Sequence, residues 1–237
     1  MTAAAGAPAI VRYGRVESTQ AIVFELAAEG APDRTVVVAD SQASGRGRRG
    51  RVWQDEPGAS LLVSILLRPN LPPAQLPTLS LTAGVAVAEA LSGAAGLEAR
   101  LKWPNDVLVN GRKLAGILLE SRGLAPVVAL GIGINITQRA FPPELAERAT
   151  SVHLAGGTGD RETLLPALLA ALDLWRGRLE REGFVPVRER WRALAHTLGR
   201  TVTVDGVTGV AVDVDDDGAL LLEVDGRRQR VVAGEVA

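Results

Sequence analysis

Lys102-Trp103-Pro104-Asn105-Asp106-Val107-Leu108-Val109-Asn110-Gly111-Arg112-Lys113 is the stretch on which the fold turns. It sits inside a longer run, Leu97 to Glu120, whose apolar segments are broken by Asn110-Gly111. Asn-Gly favours the positive backbone dihedrals of a tight hairpin, so the run reads as strands rather than helix. Pro104 stiffens the turn before it and holds Asn105 and Asp106 in place. The same stretch contains both lysines of the chain, Lys102 and Lys113, against twenty-four arginines. Arginine replaces lysine wherever a solvated charge suffices, but not where a compact ammonium must reach a point charge in a tight site. Two lysines this close in so arginine-rich a chain point to a place where that geometry is needed, with chance survival under a nucleotide bias as the competing reading.

Outward from there, helices and strands alternate. Glu17-Ser18-Thr19 supplies helix-capping hydroxyls ahead of Ile22, Val23, Leu26 and Ala27, which recur at helical spacing. Thr35 to Ala39, Leu61 to Leu67 and Val127 to Ile136 read as buried strands. Leu76, Leu79, Ala83, Val87 and Leu91 trace a second helix, Leu165 to Leu179 a third and Val187 to Leu198 a fourth. From Gly199 the texture changes. Asp205-Gly206, Asp217-Gly218 and Asp225-Gly226 punctuate β-rich runs, as in a small antiparallel barrel or meander. The expected class is α+β: a mixed-sheet body over residues 1–196 and a β module over 197–237.

Composition narrows the function. Of 237 residues, 47% are hydrophobic and 22% charged, ordinary for a globular protein, and a net charge of −1 gives no overall field toward nucleic acid or an anionic membrane. Zero cysteines exclude disulfides and thiolate chemistry and fit a reducing compartment. Met1 to Ile10 lacks the pattern of a signal peptide. Val127 to Ile136, the most apolar run, is too short to span a bilayer. These readings place the protein in the cytoplasm, away from membranes.

The densest positive cluster is Gly45-Arg46-Gly47-Arg48-Arg49-Gly50-Arg51. It matches a G-x-G-x-x-G fingerprint literally, but Trp53 to Gly58 reads as a turn, so no helix N-terminus follows to receive a pyrophosphate. Its glycines let backbone N–H groups approach an anion, and four mutually repelling guanidiniums are expected to leave the loop disordered until a polyanion binds. A nucleoside triphosphate or an acyl phosphate suits it; an RGG-like nucleic-acid patch is the other reading. Asp106, beside an anion site, suits Mg²⁺, though a plain Asn-Asp turn is common. Lys113-Leu114-Ala115-Gly116 starts an apolar strand with an ammonium, and Gly116 admits a ligand against the backbone. Gly131-Ile132-Gly133-Ile134-Asn135 repeats the device, with close strand packing as the competing explanation.

In this order the segments resemble a biotin–protein ligase of the monofunctional type. The likeness runs through nearly the whole chain and includes, more loosely, Thr150-Ser151 and Gly234-Glu235-Val236. It implies a catalytic domain shared with lipoate ligases and related to class II aminoacyl-tRNA synthetases, followed by an SH3-like barrel. It implies that biotin and MgATP give biotinyl-5′-adenylate, whose biotinyl group passes to a lysine of a biotin carboxyl carrier domain, with no tightly bound prosthetic group. Lys113 would lie between the biotin carboxylate and the α-phosphate. Arg46 and Arg48, with Gly45, Gly47 and Arg49 of their loop, would close over the adenylate, and Asp106 would support Mg²⁺. Ser18, Thr19 and Gln42 match the ureido-ring positions, with backbone near Gly116, and the strand of Gly131, Gly133 and Asn135 would flank the valeryl chain. The family usually reads Ser-Thr-Asn where this chain has Gln20, which leaves that residue's ligand contact open. Sixteen residues before Glu17 are too few for a helix-turn-helix domain, so sequence-specific nucleic-acid binding is not expected. A homodimer stays open. A lipoate ligase is the near alternative and a nucleic-acid module the distant one.

Overall fold

The computed structural model describes residues 8–123 and 127–236, so most of the N-terminal stretch read for a signal peptide lies outside the described residues. In chain order the elements are β1 (Ile10–Val16), α1 (Thr19–Ala28), β2 (Val36–Gln42), β3 (Ser60–Leu67), α2 (Thr78–Ala95), β4 (Arg100–Lys102), β5 (Asp106–Val109), β6 (Arg112–Arg122) and β7 (Val127–Asn135). They continue with α3 (Arg161–Glu182), α4 (Val185–Leu194), β8 (Thr201–Val204), β9 (Val207–Val214), β10 (Leu220–Val224) and β11 (Arg227–Val231). The first seven strands form one mixed sheet in the order β1-β2-β3-β7-β6-β5-β4; the last four form an antiparallel sheet, β11-β10-β9-β8. The α+β class and the small C-terminal β module are both present. The chain clusters into two compact units, residues 1–69 with 118–133 and residues 70–117 with 134–237.

In the first unit β1 pairs parallel to β2, and β2 pairs antiparallel to β3. Val23 and Phe24 of α1 pack with Val37, Leu66 and Ala129 in a closed apolar cluster. Arg122 covers this cluster, its guanidinium carbon 3.8 Å from the Phe24 ring centroid. Strand β1 had no signal in the sequence reading: its residues, Ile-Val-Arg-Tyr-Gly-Arg-Val, are mostly exposed or half-buried, as at a sheet edge. The anticipated capping hydroxyls do not cap. Ser18 occupies the N-cap of α1 without a side-chain cap bond, and the Thr19 hydroxyl is engaged elsewhere.

In the second unit Asn110 (φ 51°) and Gly111 (φ 77°) form the expected turn between β5 and β6. Helix α2 is almost wholly buried and ends on Gly96 in the left-handed region. With the turn before it, Pro73–Ala95 is the one stretch long and apolar enough to cross a membrane among the described residues. It therefore replaces Val127 to Ile136 as the stretch to weigh, and its burial marks it as a core helix. Glu89 of α2 ties down both following helices: it accepts from Trp175 Nε1 at 2.8 Å and Arg190 Nε at 3.0 Å. Asp205-Gly206 and Asp225-Gly226 adopt the positive dihedrals of tight hairpins. Asp217-Gly218 does not: only Gly218 has positive φ, because Asp215 Oδ1 accepts from the amides of Asp217 and Ala219 and shapes a different turn. Val236 bridges back to Val204 of β8.

Candidate active site

In the second unit the β5–β6 hairpin, turned at Asn110-Gly111, brings the lysine and the carboxylate together. Asp106 opens β5 opposite Gly116 of β6, and Lys113 Nζ stands 2.6 Å from Asp106 Oδ1, an ionic contact off the line of a hydrogen bond. The Lys113 backbone is fixed on its other side: its amide donates to Arg148 O at 2.7 Å and its carbonyl accepts from Thr150 N at 2.9 Å. Asn105 Nδ2 donates to Ile117 O at 2.9 Å, while Ile117 N donates to Asn105 O at 2.9 Å. That double tie holds the Asn-Asp turn against β6. Asn135 donates to Thr150 O at 3.0 Å, which joins the end of β7 to the segment pairing with Lys113. Trp103 donates through Nε1 to Gly218 O at 3.0 Å and through its amide to Thr197 Oγ1 at 2.9 Å. The sequence reading gave Trp103 no task. Its neighbours in chain order carried the chemistry, and its partners are about a hundred residues away.

The first unit holds the polar trio and the glycine-arginine loop. Thr19 donates to Gln42 Oε1 from its amide (2.8 Å) and its hydroxyl (3.0 Å), and its Oγ1 lies 2.7 Å from Ser64 Oγ. Ser64 sits unexposed in β3 and was not among the candidates, because a serine in an apolar strand leaves no pattern. Ser18 is buried beside this chain of contacts. The Gln42 amide donates to Asp55 at 3.4 Å; burial pushes the Asp55 carboxyl up, against that amide and the charge of Arg15.

Gln20 reaches across to two backbone carbonyls. Its Nε2 donates to Leu118 O at 3.1 Å and Ala129 O at 3.2 Å, cross-linking β6 and β7. Its Cδ lies 3.0 Å from where a Cβ on Gly131 would be, so Gly131 makes room for this side chain. Gln20 and Gly131 thus pack against each other within the first unit. Gln20→Met, similar in length and volume, is expected to lower stability by about 1–3 kcal/mol by leaving both carbonyls without this donor. Urea unfolding checks it; lost biotin affinity at unchanged stability would return Gln20 to the ligand.

The loop also departs from expectation. Instead of being disordered, residues 45–53 form a small hairpin: Arg46 bridges Val52, Gly47 N donates to Arg51 O at 2.7 Å and Trp53 N donates to Gly45 O at 2.9 Å. Arg48–Gly50 make one 3-10 turn, with Arg49 at φ 58°. Guanidinium repulsion is relieved because Arg46 pairs with Glu120. A Cβ on Gly45 would stand 2.8 Å from Trp53 O, and one on Gly133 would stand 2.7 Å from the Trp53 ring. Gly133 thus accepts the loop's indole.

A glycine-arginine loop docked by an indole on a glycine of β7, and a lysine braced beside a carboxylate on β6, are the parts an acyl-adenylate chemistry asks for. The chain matches the Biotin/lipoate A/B protein ligase family over residues 13–136 and the Biotin protein ligase C terminal domain over residues 197–237. It belongs to the biotin–protein ligase family. The biotin–[acetyl-CoA-carboxylase] ligase of Paracoccus denitrificans is 40% identical over 235 residues, covering 94% of this chain and 97% of that protein. The bifunctional ligase/repressor BirA of Bacillus subtilis is 37% identical, over 96% of this chain and 73% of that one. The biotin protein ligase of Aquifex aeolicus in complex with biotin and ATP superposes with a TM-score of 0.86 at 30% identity, covering 97% of each chain.

Proposed function

We propose that the protein joins biotin to ATP as biotinyl-5′-adenylate and then passes the biotinyl group to a lysine of a biotin carboxyl carrier domain. In the first step a carboxylate oxygen of biotin attacks the α-phosphorus and pyrophosphate leaves. In the second, the carrier amine attacks the acyl carbon, AMP leaves and the amine loses a proton. The observation that carries this reading is the braced Lys113–Asp106 pair opposite Gly116, in a chain of this family.

Two anions must meet in the first step, so the largest demand is for positive charge fixed before reaction. Lys113 supplies it, its backbone held on both sides and its ammonium steadied by Asp106. The loop of Gly45, Arg46, Gly47, Arg48 and Arg49 shields the mixed anhydride from water. Thr19, Gln42 and Ser18 recognise the ureido ring, the first two oriented by each other. Gly116 of β6 and Gly133 and Asn135 of β7 complete the residues assigned to biotin and its adenylate. Among the described residues there is no group of three or more acidic or histidine side chains able to cage a metal. Mg²⁺ fits as an ion carried in on the triphosphate, with Asp106 as its protein carboxylate, an ordinary arrangement for this cation. When bound it would offset phosphate charge. The 1–196 and 197–237 regions are read as catalytic domain and SH3-like module. The cytoplasm is the proposed compartment.

Incubation with biotin and ATP, followed by mass spectrometry for biotinyl-5′-adenylate, tests the reading; no adenylate would remove it. Arg48→Gly is expected to form the intermediate but release it about 10-fold or more faster, since a charge-assisted contact is worth roughly 1.5–3 kcal/mol. Biotin appearing on bystander amines reports the leak, and unchanged retention would take Arg48 out of the site.

A further inference from the structure

The loop carries one contact that the proposed chemistry does not use. Arg46 Nη1 donates to Glu120 Oε1 at 3.2 Å, and Nη2 stands 3.2 Å from Oε2. Glu120 lies near the end of β6, and its Oε2 is buried. An acidic side chain is an odd neighbour for a loop meant to gather anions. Paired in this way, Arg46 is largely neutralised as a phosphate ligand. The pair has a mechanical consequence, because the hairpin contacts from Gly45 to Trp53 make the loop move as a unit. Among the described contacts, two tie it to strands of the first unit: the Trp53 ring packed on Gly133, which is apolar, and the hydrogen bond of Arg46 Nη1 to Glu120 Oε1, which is directional.

We infer that Glu120 is a positioning residue, whose carboxylate holds Arg46, and with it the whole loop, in the closed position that retains the adenylate. Arg46 is then the latch partner, and phosphate contact falls to the other arginines of the loop. This rests on the reading that the loop covers the adenylate. The side chains are 40% and 32% exposed, so the pair is too weak to govern folding but strong enough to bias a loop. An ion pair of this kind shifts an open–closed equilibrium by about two- to fivefold.

Glu120→Gln in the full chain tests it with two readouts. The first is release of labelled biotinyl-5′-adenylate after a single turnover, followed by rapid gel filtration. The second is the rate of trypsin cleavage within residues 46–51, measured without biotin or ATP. Both are expected to rise about two- to fivefold, while adenylate formation at saturating substrates stays within about twofold. Combining Arg46→Glu with Glu120→Arg should return cleavage at the remaining loop arginines toward the original rate, which neither single change does. Unchanged release and cleavage overturn the inference, and so does faster cleavage without faster release. Failure of the functional reading shows separately, as an unaltered protein that forms no adenylate to release.

Discussion

Lys113→Ala is expected to slow biotinyl-5′-adenylate formation by about 10²–10³-fold, the usual loss when one preorganised charge-stabilising donor is removed. The contact matters more in the transition state than in the ground state, because charge on the phosphoryl oxygens builds as the phosphorus becomes five-coordinate. The substitution does more than delete a cation. It leaves Asp106 facing two incoming anions without the ammonium that stands 2.6 Å away. Folding should be nearly untouched, because the side chains are 32% and 22% exposed and such a pair contributes no more than about 1 kcal/mol. Lys113→Arg should be almost as poor, since a planar fork cannot take the place of a compact ammonium. Pyrophosphate release in a single turnover measures the effect, and thermal unfolding checks the fold. A Lys113→Ala protein keeping more than a tenth of the rate would move the essential charge to the loop arginines.

How much of this was legible depends on whether a feature is local. Asn110-Gly111 announces its hairpin because two adjacent residues fix the dihedrals, and the apolar runs of β3 and β7 announce burial. Lys113 and Asp106 stand out by chemistry and spacing, and the turn does bring them together. What stayed hidden is what distant partners decide. Nothing next to Gln20 in the chain shows that it bonds the carbonyls of Leu118 and Ala129. Gly131 and Gly133 look alike in sequence, yet one admits Gln20 and the other the Trp53 indole. The arginine loop reads as disordered because its acidic counterweight, Glu120, lies 74 residues away. Edge strand β1 alternates too weakly to show, since parallel pairing on one side holds it.

The largest effect on stability is expected at Trp103, a residue inside the most chemically suggestive stretch of the chain. Trp103 is 2% exposed, and its Nε1 donates to Gly218 O while its amide donates to Thr197 Oγ1. Gly218 is held in turn by the left-handed bend that Asp215 shapes, with Leu81 of α2 against it. Trp103→Ala removes a fully packed indole and strips the Gly218 carbonyl of its donor, so a loss of about 3–5 kcal/mol is expected. Trp103→Phe keeps most of the apolar volume and isolates the hydrogen bond, at about 1–3 kcal/mol. Urea unfolding read by circular dichroism gives both values. Trp103 directly precedes the turn that carries Asn105 and Asp106, so activity should fall in step with stability in the Ala variant even below its unfolding midpoint. An Ala variant as stable as the original protein would mean that the indole and its bond to Gly218 do not hold this turn. The residues that bear the chemistry would then owe their placement to β6, the 148–150 segment and the backbone bond to Thr197.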